Sequence, residues 1–229
     1  MSKFFVKNSQ YYLEDDGVFT VIPVQMFHGY WKDPEHFHGL GNDDTNAPES
    51  YIECPEKNRD LVEIIKKYCV PTDEIFDIGC NVGRNLDCIY KAGFHNLTGL
   101  DINEKALEMG KKRFPDTVGK SNLICSPIED YLWKENNKRY DVVFTMGVLM
   151  HLHPTSDWVY SIFFHTAKKY FITVEDEWNH SNKALPRNYK DIFEDIGFSQ
   201  VEEKHVIYNN DIDNTGNMNV MYRIFKNET

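Results

Sequence analysis

The chain has 229 residues, which suits one sizeable domain with an appended arm, and its 41% hydrophobic content is sufficient for a full core. Twenty-five Lys plus Arg against 36 Asp plus Glu give a formal net charge of −11, a balance that repels phosphate backbones and anionic lipid and argues against nucleic-acid or membrane partners. No apolar run approaches membrane-spanning length, no basic segment leads into an apolar core at the N-terminus, and the five cysteines (54, 69, 80, 88 and 125) form no C-x-x-C pair, so the expectation is a reduced, cytoplasmic protein.

Residues 1–25 alternate weakly, and "YYLEDDGVFTVIPV" sets an Asp-Gly turn between two aromatic and β-branched runs, predicting a short antiparallel hairpin. Residues 26–50 mix aromatics, His, Gly and Asp without a period and read as a long loop, a type of segment that often covers a site. Tyr30, Trp31 and His38 on it supply stacking and hydrogen-bonding groups, either above a pocket or as a packing arm or dimer contact. Residues 1–53 are therefore expected to form an N-terminal arm and lid, and residues 54–229 the main domain.

From residue 56 the elements alternate. "KNRDLVEIIKKYC" is helical, "EIFDIGC" a short buried strand, "RNLDCIYKAG" a helix ending on Gly93, "NLTGLD" a strand and "NEKALEMGKKRF" a helix stopped by Pro115. "SNLICS", "YDVVFTMG" and "YFITVED" read as strands, with "IEDYLWK", "SDWVYSIFFHTAKK" and "NYKDIFEDIG" as the helices between and after them. The last two strands, "SQVEEKHVIY" and "MNVMYRIFK", are joined without a crossover helix and must pair antiparallel. The pattern predicts a doubly wound α/β fold: a seven-stranded, mostly parallel sheet with one antiparallel strand near its edge.

In such sheets ligands bind beyond the carboxyl ends of the strands, near the switch in strand order. The turn after the first sheet strand is "DIGCNVGRN". Gly79 allows positive φ and close backbone approach, Gly83 allows tight helix–strand contact, and Asn81 is one of the few residue types that tolerates a left-handed conformation in place of Gly. A dinucleotide G-x-G-x-x-G loop aligned on Gly79 needs glycines at 81 and 84, where Asn81 and Arg84 stand, so that reading fails twice. The template acid-x-G-x-G-x-G fits Asp77, Gly79 and Gly83 with one departure.

On these residues the chain resembles the class I S-adenosylmethionine (SAM)-dependent methyltransferases over roughly residues 56–226. "DIGCNVGRN" is similar to their first motif, "GLDIN" to the acid ending the second strand, "CSPIED" to the adenine-contacting turn, and "YDVVFTMGVLMH" to the fourth strand and its exit. The resemblance implies that SAM is the cofactor. It places Asp77, Gly79, Cys80, Asn81, Gly83 and Asn85 around the methionine part, Asp101 on the ribose hydroxyls, Ile102 and Ile128 on the adenine with Pro127 and Glu129 beside it, and Met146 at the fourth strand end. Arg59 either reaches the ligand carboxylate or is a surface Arg.

Methyl transfer to oxygen or nitrogen needs a positioned acceptor and a base for its proton. His151 and His153 after the fourth strand, and Glu175 and His180 after the fifth, stand where such groups are required; His151 and Glu175 are the catalytic candidates, with His153 and His180 in the acceptor pocket. Each also has a structural alternative as a cap or a packed loop residue. His36-x-His38 and His151-x-His153 lack matching Cys or carboxylate spacing, so no metal is assigned. The strand exit lacks the Asn/Asp-Pro-Pro-aromatic tetrad of enzymes methylating base amino groups, and "FTMGVLMHLHP" is similar to small methyltransferases of bacterial nonulosonic-acid and surface-sugar pathways. The expectation is a small polar acceptor; a protein substrate or a noncatalytic SAM-binding partner subunit are the alternatives, and a homodimer is open.

Overall fold

Asp16 and Gly17, both at positive φ, turn the chain between β2 (Gln10–Asp15) and β3 (Val18–Ile22), as the Asp-Gly pair requires of a two-residue hairpin turn. This is a computed structural model, and it describes residues 3–8, 10–37, 46–53, 56–135, 139–210 and 216–229. A further strand, β1 (Lys3–Lys7), pairs antiparallel with β2, so the predicted hairpin is a three-stranded sheet.

The expected loop after it begins as a helix, α1 (Val24–Lys32). Its apolar and aromatic residues do follow a helical face: Val24, Phe27, His28 and Trp31 fall at i, i+3, i+4 and i+7. Gly29 and the surrounding His and Trp residues obscure that period. The Phe37 ring packs against Gly29, where a Cβ would lie 2.4 Å from it.

Next come α2 (Glu56–Tyr68), β4 (Ile75–Ile78), α3 (Arg84–Lys91), β5 (Leu97–Asp101), α4 (Glu104–Arg113), β6 (Asn122–Cys125) and α5 (Ile128–Lys134). They are followed by β7 (Tyr140–Met146), α6 (Val159–Thr166), β8 (Ala167–Glu175), α7 (Tyr189–Asp195), β9 (Phe198–Asn210) and β10 (Gly216–Asn227). The second sheet has seven strands in the order β6-β5-β4-β7-β8-β10-β9; β4 to β8 run parallel, and β10 is antiparallel to both its neighbours. The predicted seven-stranded, mostly parallel sheet is therefore present.

Alternate residues of the strands feed two cores. Ile75, Val142, Phe144 and Ile172 pack with Leu61, Ile65, Leu86 and Ile89 of α2 and α3 on one face. Phe76, Ile78, Val143 and Phe171 pack with Phe163 and Phe193 of α6 and α7 on the other. The helix expected over 156–169 is shorter: α6 stops at Thr166, because Ala167 is already buried in β8 and Lys169 reaches Asp73 at 2.5 Å and Asp141 at 3.3 Å. Among the described residues no helix is long and apolar enough to cross a membrane.

Gly110, inside α4, lies where a Cβ would sit 2.3 Å from the Val82 carbonyl oxygen of the turn after β4. Backbone cannot yield as a flexible side chain does. Gly110→Ala is therefore expected to destabilise by about 1–3 kcal/mol and to lower Tm by roughly 3–10 °C in a thermal melt, despite the better helix propensity of Ala.

Candidate active site

Strand order reverses at β4, whose neighbours are β5 on one side and β7 on the other, and the glycine turn leaves the sheet there. Gly79 (φ +76°), Asn81 (φ +50°) and Gly83 (φ +75°) are all left-handed, so Asn81 does occupy a position suited to Gly. Gly79 also has no room for a side chain, since a Cβ would meet Val148 Cγ2 at 2.3 Å.

The turn is tied to the end of β5 through Asp101. Asn81 N–H donates to Oδ2 at 2.7 Å and Asn103 N–H to Oδ1 at 2.8 Å. Burial nevertheless pushes the Asp101 carboxyl up to about 6 against these amides. Asp77 is fully buried, and neither of its carboxylate oxygens closes a normal hydrogen bond among the described residues. Burial drives its pKa well above the usual carboxylate range, with Asn85 opposing and the Asp101 charge reinforcing.

A cleft of about 1100 Å³, counting its open mouth, lies beyond these strand ends. Of the residues expected at a ligand, Gly79, Cys80, Asn81, Asn85, Asp101, Ile102, Pro127, Ile128, Glu129 and Met146 line it. Asp77 and Gly83 stand behind the wall; Gly83 packs on Val118. Arg59 does not come to the cleft. It is solvent-exposed, and α2 turns Asn58 inward instead, where its amide donates to Asn85 Oδ1 and lies 3.7 Å from Met146 Sδ. Two cations were missed in sequence: Arg84, which lines the cleft and stacks over Tyr51 at 5.1 Å, and Lys57, whose ammonium burial pushes down to about 8 with help from Arg84. The double failure of the dinucleotide pattern at 81 and 84 was the available signal for Arg84.

The arm supplies the opposite wall with Val24, Phe27, His28 and Trp31 of α1. His28 Nε2 lies 3.1 Å from Glu129 Oε1, which also accepts Ser156 Oγ–H at 2.6 Å, so the arm is latched to the first turn of α5. Tyr30 is not on the wall. It is fully buried behind it, accepting from Asn46 Nδ2 at 2.7 Å and Lys183 Nζ at 3.0 Å. His38 lies outside the described residues.

His151 lines the cleft and packs on Trp31, ring centroids 4.5 Å apart. Its Nδ1–H donates to the Lys183 carbonyl at 2.6 Å, which fixes the tautomer and leaves the lone pair on Nε2. Burial pushes its pKa down to about 4, so the ring is neutral at physiological pH. His153 also lines the cleft, but both ring nitrogens are engaged: Nε2–H donates to the Ile22 carbonyl at 2.8 Å, and Nδ1 accepts Thr155 N–H at 3.2 Å. It fastens β3 to the β7 exit. His180 is exposed and off the cleft.

Glu175 does not reach the cleft. It is buried below the β7 exit, accepting Val148 N–H at 3.0 Å and Met150 N–H at 3.5 Å, and so holds the segment that carries His151. Burial pushes its carboxyl from 4.5 up to about 7. A raised folded-state pKa contributes stability that is present at low pH and lost as pH rises through the folded value. Wild-type protein is therefore expected to lose part of its Tm margin over Glu175→Gln between pH 4.5 and about 7, a trend that parallel melts across that range will check. Asp33, Glu35 and His36 approach closely enough to share a cation, but they are not buried, and Lys105 already lies 3.2 Å from Asp33.

Residues 75–167 match a family model described as a methyltransferase domain. A stretch of 79 residues, 34% of this chain, is 35% identical to the ubiquinone biosynthesis O-methyltransferase of Vibrio vulnificus and covers 33% of it. The chain thus spans about a third of that relative's length. A longer alignment, over 81% of this chain and 56% of the other, is 26% identical to 24-methylenesterol C-methyltransferase 3 of Arabidopsis thaliana. Among solved structures, the 1,6-didemethyltoxoflavin-N1-methyltransferase of Burkholderia thailandensis, with its namesake compound and S-adenosylhomocysteine bound, superposes with a TM-score of 0.65 over 97% of each chain at 11% identity. The magnesium protoporphyrin IX methyltransferase of Synechocystis PCC 6803, with S-adenosylhomocysteine bound, gives 0.64 over 88% of this chain and 98% of that one at 13% identity. These likenesses concern the fold.

Proposed function

We propose, on the premise that residues 75–167 are a methyltransferase domain of the class I, Rossmann-like kind, that the chain transfers a methyl group from SAM to an oxygen or nitrogen of a small molecule. The observation that carries this reading is the pairing of two carboxylates at the β4 and β5 ends, Asp77 buried behind the wall and Asp101 half-buried in it, with a tautomer-fixed, neutral histidine across the cleft.

The residues present fit the donor. Asp77 is an orphaned buried acid, as expected of a group awaiting a cationic ligand, and Asp101 keeps acceptor capacity for two ribose hydroxyls. Gly79 admits ligand against backbone, Ile102 and Ile128 offer apolar surface to an adenine, and Arg84 supplies a cation for a carboxylate. When bound, the sulfonium supplies an electrophilic methyl group with a neutral thioether as leaving group. His151 accepts the acceptor's proton at Nε2; Glu175 positions His151 through the amides of Val148 and Met150. Phe27 and Trp31 line the arm side of the cleft with apolar surface, which favours a small acceptor held away from bulk water.

Isothermal calorimetry with S-adenosylhomocysteine tests the donor half, and loss of radiolabelled methyl from SAM into a small-metabolite extract tests the transfer half. Binding with no label transfer to any extract leaves a noncatalytic donor-binding role; absence of binding removes the proposal.

A further inference from the structure

The wall that the acceptor faces carries little charge. The lining residues from α1 and from the segment after β7 include no Lys, Arg, Asp or Glu. A phosphate or carboxylate on the acceptor would lose its hydration there without gaining a cation. The polar groups on this wall are mostly committed: His28 to Glu129, His153 to the Ile22 carbonyl and Thr155. A polyhydroxylated ring would bury several hydroxyls beside Val24, Phe27, Val148 and Leu152 with no partners for them.

On this wall the neutral Nε2 of His151 is the group with a lone pair to offer a ligand; the Trp31 indole N–H is buried in the packing and finds no acceptor among the described residues. Trp31 lines the cleft with an indole that packs on His151, and an aromatic ring of that size suits a flat partner.

Resting on the methyl-transfer reading, we infer that the acceptor is an uncharged, flat conjugated ring bearing an acidic hydroxyl, for which Trp31 is the specificity-determining platform. This replaces the sugar-type acceptor suggested by the run "FTMGVLMHLHP". The acceptor oxygen forms the new O–CH3 bond as the S–CH3 bond breaks, the breaking pair stays on sulfur, and the hydroxyl proton passes to His151 Nε2 and then to solvent. With its conjugate acid held down by burial, His151 is a weak base, so the acceptor has to part with its proton easily. A phenolic hydroxyl, with a pKa of about 10, meets that condition far better than an alcohol.

The test uses the full chain saturated with S-adenosylhomocysteine and titrated calorimetrically with 2-naphthol, methyl α-D-glucopyranoside and N-acetylneuraminic acid. The expected result is naphthol binding and no heat from either sugar. Trp31→Ala should weaken naphthol by at least about tenfold while S-adenosylhomocysteine affinity holds, and Trp31→Phe, which keeps a smaller ring, should fall between. Binding of a sugar in preference to naphthol, no naphthol binding, or naphthol affinity unmoved by either Trp31 variant overturns the inference. These failures are separable from failure of the donor reading, which shows earlier as absence of S-adenosylhomocysteine binding.

Discussion

His151→Ala is expected to lower turnover by about 10²–10⁴-fold, the usual range for a lost general base, while donor affinity stays within about twofold. The reasons are geometric. His151 lines the cleft on the β7 side, apart from the Asp101 end, and its protonation state is set by structure through the Nδ1–H bond to the Lys183 carbonyl. The Ala variant also loses that bond and part of the Trp31 packing, so His151→Asn is the informative companion. Asn can keep a donor toward Lys183 but has no basic nitrogen, and it should be as slow as Ala. If Asn turns over like wild type, the imidazole serves only to pack the segment. The pH profile supplies a further reading: with His151 held near 4, its protonation should not limit kcat anywhere near the ordinary histidine range.

The sheet could be read from sequence because its signals are local. The β4–α3 and β5–α4 units carry a short apolar run, a Gly or Asn turn and an amphipathic helix, and "EIFDIGC" with "NLTGLD" fixes where the cleft opens. Ten of the thirteen residues expected at the donor line the cleft for the same reason, since a strand end has little freedom in where it points. Arg59 went astray because helix rotation, which turns its neighbour Asn58 inward, is decided by packing on β10 and α3 and not by composition. The arm misled in another way. Its helical face uses Val24, Phe27, His28 and Trp31 but has no cap signal and is broken by Gly29, and the contacts that hold the arm come from far along the chain, such as Tyr11 to Ser181 and His153 to Ile22. Glu175 illustrates a third limit. A strand-end acid beside a catalytic loop has the same sequence signature whether it faces the substrate or, as here, the loop's own amides.

Asp101→Ala should weaken donor binding by at least about tenfold, since a charge-assisted pair of ligand hydrogen bonds is lost and tenfold corresponds to about 1.4 kcal/mol. The same change strips the Asn81 and Asn103 amides of their acceptor, so a lowered Tm should accompany it. Asp101→Asn separates the two effects, because Asn retains an oxygen for one amide but carries no charge. The pH dependence gives the sharper test. In the ligand-free protein the Asp101 carboxyl is pushed up to about 6, whereas a bound cationic nucleoside favours its ionised form. Binding therefore expels a proton below about pH 6, and donor Kd should weaken toward tenfold per pH unit as pH falls through that value, then level off above it. Asp77 is a fully buried acid whose pKa the Asp101 charge raises, so removing that charge should bring Asp77 down. Wild type should then show a steeper acid-side loss of affinity than Asp101→Asn. Parallel slopes in the two proteins would mean that Asp101 stays protonated, or stays clear of the ligand, throughout the range, and the ribose assignment would have to pass to another group.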